Sequence, residues 1–350
     1  MKKTILLAAL LCCTVLTAHA DKPENINGTS YFLPKTVLRF TVLTEKTTYT
    51  PGEFSQFAER YLKQPAGSQA EESYRILGIR LTPYGIADTS KLFTASIDSK
   101  HNIFSIYKDE SGVLLAVNDR PNAPAADTSF KPAPKPARIN PNDYLSQDIL
   151  SAGSKAKMAE LAADEIYDIR DSRTQLTRGQ ADNMPTDGQQ MRIMLNSLNT
   201  QEAALLQMFN GITEKDTLEV SVDFTPDKEV EREILFRFSK HFGLVDTDDL
   251  SGVPYYISIV NQHNVPANST TIGKDEKIKN DAGIWVNLPG KISVKLYQGE
   301  KLLDNYETYV AQFGRTEPMM GELFSKKMET KVRLNPATGN ADSINTELKR

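Results

Sequence analysis

The sequence predicts an α+β protein that is mainly β: an N-terminal β domain with one packed helix, a central antiparallel helical hairpin, and a C-terminal antiparallel β-sandwich. Three observations point there. Apolar and polar residues alternate through many short runs in both halves of the chain. Two long central segments instead repeat apolar residues three and four positions apart and are bounded by capping signals. A proline-rich stretch with few large apolar residues separates the first β-rich region from those segments.

In chain order, Lys35 to Leu43 places Leu38, Phe40 and Val42 on one face and Arg39 and Thr41 on the other, the period of a strand. Thr50-Pro51-Gly52-Glu53 reads as a capping box with proline at the first helical position, and Phe54, Phe57, Ala58, Tyr61 and Leu62 continue it as one helical stripe. Strand-like runs follow at Tyr74–Leu81, Lys91–Ile97, Ile103–Tyr107 and Val113–Val117, parted by turn clusters such as Asp98 to Asn102. Residues 21–118 are therefore expected to form the N-terminal β domain. Residues 119–145, with Pro121, Pro124, Pro132, Pro134, Pro136 and Pro141, read as a stiff linker.

Residues 146–212 are expected to form the helical hairpin. Its first helix carries Met158, Ala162, Ile166, Ile169 and Leu176 and stops at Arg178-Gly179. The second starts at a capping box, Thr186 to Gln189, carries Met191, Leu195, Leu198, Leu205 and Phe209, and stops at Asn210-Gly211. Residues 213–350 then return to period two. Leu218, Val220, Val222 and Phe224 alternate strictly, and further runs follow at Glu231–Phe238, Pro254–Val260, Ile284–Leu288, Lys291–Tyr297, Lys301–Gln312 and Glu329–Leu334, the last closing through Asn335 to Gly339 into a hairpin.

Residues 1–20 read as a signal peptide: Lys2 and Lys3, an apolar run from Ile5 to Leu16, then Ala18-His19-Ala20. Its removal takes the 41 basic residues to 39 against 45 acidic ones, a net charge of −6. Nucleic acid is excluded as a partner on that balance. No later run approaches the roughly 20 apolar residues of a membrane-spanning helix, so the expected product is an exported periplasmic or extracellular protein. Both cysteines, Cys12 and Cys13, fall in the leader, which removes disulfides and thiolate chemistry from the mature chain.

Catalytic signatures are missing: there is no G-x-S-x-G, H-E-x-x-H, Walker loop or G-x-G-x-x-G. Ser154 and Lys157 have S-x-x-K spacing without its companion motifs, and a helix-capping serine is the simpler reading. His101, His241 and His263 lack metal-ligand spacing. Asp246, Asp248 and Asp249 cluster in a loop whose hard oxygens suit calcium, although the EF-hand glycine and glutamate positions are not filled; a solvated acidic turn is the alternative. No other cofactor is indicated. Glu202 interrupts the apolar stripe between Leu198 and Leu205, so it needs a buried partner, with Arg170, Arg173 and Arg237 as the candidate donors.

Around Pro289-Gly290 one strand face carries Ile284, Val286, Leu288, Ile292, Val294 and Leu296, and the other Trp285, Asn287, Lys295 and Tyr297. The second face is a candidate ligand platform on which an aromatic ring stacks a sugar; the competing reading covers it with the helical hairpin and makes Trp285 a core residue. The function expected is a non-enzymatic envelope interaction or scaffold protein, with an envelope protein or a glycan as partner. A glycan- or peptide-binding module is the first alternative. A hydrolase assembled from separate loops is the second. A deep pocket with converging carboxylates favours the hydrolase, a shallow aromatic shelf the binding module, and a broad apolar patch a protein partner.

Residues 163–173, then Leu176-Thr177-Arg178-Gly179, Asp187-Gly188, Leu206 to Gly211, Arg237-Phe238-Ser239, Pro289-Gly290, Ala311-Gln312-Phe313-Gly314 and Asn335 to Gly339 together resemble an exported Bacteroidota family catalogued as domain of unknown function 4831. The likeness spans essentially the mature chain. It implies a Gram-negative envelope protein and brings no activity, ligand or site residue with it. Where the family tends to place tyrosine ahead of Pro289-Gly290, this chain has Trp285.

Overall fold

Long strands carry the architecture. The computed structural model describes residues 28–95, 102–123, 129–132, 134–135, 137–266 and 282–349. The expected signal peptide with Cys12 and Cys13, and the residues His101, Pro124 and Pro136, lie outside them. The strands are β1 (Thr29–Thr50), β2 (Glu71–Ala95), β3 (Ile106–Lys108), β4 (Leu114–Val117), β5 (Ile212–Phe224), β6 (Val230–Ser239), β7 (Gly243–Val245), β8 (Val253–Asn261), β9 (Ala282–Gln298), β10 (Lys301–Met320), β11 (Met328–Leu334) and β12 (Ala341–Leu348). The helices are α1 (Ala58–Leu62), α2 (Gln147–Leu150), α3 (Lys155–Arg178) and α4 (Gly188–Asn210). The protein is thus mainly β, and the described strands pair antiparallel into sheets ordered β2-β1-β5, β10-β9-β8-β6-β7 and β12-β11-β4-β3.

The expected division into an N-terminal domain and a separate C-terminal sandwich does not describe this pairing. β1 is hydrogen-bonded to β5 from Leu38↔Phe224 to Thr50↔Ile212, and β4 pairs with β11 at Val117↔Val332. The reason is strand length. Runs that read as separate short strands join: Tyr74–Leu81 and Lys91–Ala95 belong to β2, and Ile284–Leu288 and Lys291–Tyr297 to β9. Strands of 17 to 25 residues are long enough for each to serve two cores. The upper core packs Leu38, Phe40 and Val42 against Ile257, Ile259, Ile292, Val294 and Leu296. The lower core collects Tyr31, Leu33, Leu114, Val117, Ile284, Phe324 and Leu334. Outside the upper core, the β2-β1-β5 face is polar. Arg39 lies 4.4 Å over the Tyr84 ring and makes two 2.8 Å bonds to Asp223, which also accepts from the Tyr84 hydroxyl.

The hairpin of α3 and α4 is present, with a core of its own. Gly179 caps α3 in the left-handed region at φ 69°. The cap of α4 falls one residue later than expected: Asp187 accepts from the amides of Gln189 and Gln190, while Gln190 Oε1 accepts from Thr186. At the base of the hairpin Ala159, Ala162, Ile166, Leu205 and Phe209 enclose Phe54, Ala58 and Leu62. The small helix between β1 and β2 thus packs on the helices and not inside a β domain. Its expected capping box is absent because Thr50 is still in β1, paired with Ile212, and no side chain caps α1. The proline-rich stretch follows β5: the Phe130 amide donates to Glu219, Lys135 pairs with Asp216, and Arg138 with Glu214.

Candidate functional site

Pro289 has no N–H to give a ladder, and the chain bends around it. Between the pairs Val310↔Gly290 and Arg315↔Leu288 an insertion of Ala311, Gln312, Phe313 and Gly314 on β10 stands opposite Pro289. The inserted residues turn to β1. Gln312 receives the Thr36 amide at 3.0 Å and donates to the Thr36 carbonyl at 2.8 Å, so its side chain substitutes for a neighbouring strand. The Thr36 hydroxyl donates to Ala337 O at 2.7 Å and accepts from the Ala311 amide at 3.0 Å. Two motifs of the family resemblance, residues 311–314 and 335–339, therefore meet here as keystones of the fold.

Asn287 completes this seam. It is fully buried; its Nδ2 donates to Pro34 O at 3.0 Å and Thr338 O at 2.9 Å, and its Oδ1 accepts from Lys91 Nζ at 3.3 Å and Thr316 Oγ1 at 3.1 Å. Burial holds the Lys91 ammonium below its usual pKa, with Asp88 opposing the shift. Trp285 stacks on Phe93 of β2 with centroids 5.3 Å apart and planes 18° apart, and its amide donates to the Tyr31 hydroxyl at 2.7 Å. The cover over Trp285 is thus the β1–β2 hairpin and not the helical hairpin.

Lys295 and Tyr297 lie elsewhere. Eight and ten residues beyond Asn287, about 26 and 33 Å along an extended strand, they occupy the outer face of the upper sheet. There Arg232 sits 5.1 Å from the Tyr256 ring centroid and 5.2 Å from that of Tyr297, held by Glu300. The expected four-residue platform is therefore two separate places. Alternation along the strand places the four on one parity, but the two halves of β9 belong to different cores.

The acidic loop is organised by an arginine. Arg237 Nε donates to Thr247 O at 2.7 Å and its Nη1 to Gly252 O at 3.0 Å, while the Asp249 carboxylate accepts from the Ser251 amide at 2.8 Å. That hydrogen bond holds Asp249 below the usual carboxylate range. Asp246, Asp248 and Asp249 are exposed, and no group of three or more His, Cys, Asp or Glu side chains that could hold a metal occurs among the described residues. Ser154 caps α3, accepting from the Lys157 amide at 3.3 Å, while the Lys157 ammonium binds Glu160 at 3.0 Å.

Glu202 binds Arg170 Nε at 2.6 Å and Arg173 Nη1 at 2.5 Å, tying α4 to α3. Arg237 takes no part. Burial pushes the Glu202 pKa up, and the two arginine hydrogen bonds outweigh it, so the carboxyl titrates below its usual value. A depressed folded-state pKa contributes stability that is present above the unfolded value and lost as pH falls through the folded one. Glu202→Gln is expected to cost about 1–3 kcal/mol near neutral pH, the half-exposed arginines limiting the loss. Denaturant midpoints should show the gap closing in acid; an unchanged midpoint at neutral pH rejects the structural ion pair.

Beside the Pro289 bend lies a groove of about 460 Å³, within the size range of small-ligand sites. It is lined by Leu288 and Pro289 of β9, Tyr309 of β10, Asn335, Thr338, Asn340 and Asp342 of the β11–β12 hairpin, and Asn264, Val265 and Pro266. Tyr309 is 49% exposed. The walls are held in place: Asn335 Oδ1 accepts from the amides of Ala337 and Thr338, Asn264 Oδ1 from the Lys291 amide, and Arg315 donates to Pro266 O. Asp342 is the single carboxylate of the lining, and no lysine or arginine joins it among the described residues. None of the platform, loop or helix residues expected from sequence lines this groove. Pro289 and the turn at 335–339 were its only visible markers; Tyr309, Asn264 and Asp342 occur in stretches that carry no motif.

Comparison with curated proteins and with solved structures finds no match. A family model does match, over residues 27–342. On that evidence the chain belongs to the family described as Domain of unknown function (DUF4831).

Proposed function

We propose that this protein is a non-enzymatic interaction protein of the cell envelope, exported by its N-terminal leader, and that it holds a small polar ligand in the groove beside Pro289. The observation that carries the reading is the groove itself. It joins one exposed aromatic ring to three asparagine side chains and a carboxylate, and it adjoins the hydrogen-bonded seam at Asn287 and the turn at Asn335. Binding sites gain affinity from such fixed walls, because little side-chain freedom remains to be lost. One carboxylate accepts hydroxyl or amide protons, whereas glycoside hydrolysis requires a second within reach. The geometry therefore favours the aromatic shelf of a binding module over the converging acids of a hydrolase.

The test is a titration of isotope-labelled mature protein with a library of neutral amides, phenols and polyols, followed by nuclear magnetic resonance. Amide signals of Asn264, Thr338, Asn340 and Asp342 are expected to shift together with at least one fragment class. A library that moves none of them removes the groove as a binding site.

A further inference from the structure

We infer that the ligand of this groove is an uncharged saccharide of one to three rings. The inference rests on the groove being a binding site and adds the chemistry of what it takes. Three features select that chemistry. The half-exposed ring of Tyr309 offers an apolar face with a polar tip, which suits the C–H face of a pyranose. The same lining carries the Asn335 and Asn340 side-chain amides and the Asp342 carboxylate, which supply hydrogen-bond donors and acceptors suited to hydroxyl groups. Asp342 makes no ion pair among the described residues; its contacts are long ones, to Asn335 Nδ2 at 3.5 Å and Asn122 Nδ2 at 3.4 Å, so it retains acceptor capacity.

The charge balance narrows the class. The lining holds one carboxylate, and the cations that border it are already paired, Lys291 with Glu307 and Arg315 with Glu317, so phosphates, sulfates and uronic acids are disfavoured. A peptide is disfavoured for a different reason. In the 335–340 turn the main-chain amides of Asn335, Ala337, Thr338, Gly339 and Asn340 already donate within the fold, so that side of the groove offers no free amides for backbone pairing. What remains facing a ligand is side-chain polarity and one ring, which recognises hydroxyl groups and not a main chain.

The experiment measures binding of maltotriose, cellotriose and chitotriose to the mature protein by saturation-transfer nuclear magnetic resonance, with tetragalacturonate as the anionic comparison. At least one neutral trisaccharide is expected to receive saturation and to displace fragments bound in the groove, and tetragalacturonate is expected to show none. Tyr309→Ala, at an exposed position, is expected to weaken binding about tenfold or more with an unchanged melting temperature. Asp342→Asn is expected to weaken it less and to admit tetragalacturonate. Fragments that shift the groove while all three trisaccharides fail overturn the saccharide assignment and leave the binding site standing. Failure of fragments and trisaccharides alike removes both. Saccharide binding that survives Tyr309→Ala undiminished places the site elsewhere and overturns the inference.

Discussion

Replacing Gly314 with alanine is expected to prevent the protein from reaching its native state. An added methyl group would fall on the Leu288 carbonyl oxygen, with the Leu288 carbonyl carbon and the Gly290 amide nitrogen each 2.8 Å away. All three obstacles are backbone, so no side-chain rotation relieves them. The partner position has the same problem: a methyl on Gly290 would meet the Phe313 carbonyl. Here β9 and β10 touch main chain to main chain, and the insertion that reaches Thr36 depends on that contact. The expected penalty exceeds about 5 kcal/mol, in the range that marks a specific structural failure. Soluble yield and thermal melting measure it, with Gly78→Ala as the control, since nothing lies within 4 Å of a methyl there. A Gly314→Ala protein that melts with the parent would show that the bend is not built as described.

Asn287→Leu is expected to destabilise by about 3–5 kcal/mol, because it preserves bulk while removing a buried amide that serves four partners. The Pro34 and Thr338 carbonyls lose a donor, and the Lys91 ammonium and Thr316 hydroxyl lose an acceptor. Those groups belong to β1, β2, β10 and the β11–β12 turn, so the loss is felt in all the layers that meet at the seam. Urea midpoints at neutral pH provide the measurement. A change below about 1 kcal/mol would mean that the four contacts rearrange at little cost.

Local periodicity made the elements legible. The strand read from Leu218, Val220, Val222 and Phe224 occurs as β5, with Val222 and Phe224 against the core and Leu218 exposed, and the helical stripe ending at Phe209 occurs as α4. Glu202 was legible as well, since a charge on an apolar stripe demands a counter-charge, and Arg170 and Arg173 provide it. What periodicity cannot carry is the pairing of strands distant in sequence. Nothing in Leu38 to Val42 announces a neighbour at Val222, and nothing in Val117 announces Val332. The Trp285 platform failed for the same reason. Side-chain alternation assigns a face but not what covers it, and Phe93, which does the covering, lies 192 positions earlier. The groove was hidden because its lining comes from segments far apart in sequence, residues 264–266, 288–289, 309 and 335–342.

The pairing of β1 with β5, and of β4 with β11, bears on the order in which the molecule can be assembled. A chain leaving the ribosome from its N-terminus exposes β4 more than two hundred residues before its partner at Met328–Leu334 exists. Non-local pairing of this kind slows folding, since a large loop must close before any contact rewards it. The sheet β12-β11-β4-β3 therefore waits for the last strands to be made, whereas β2-β1-β5 has all of its strands once Phe224 has been added.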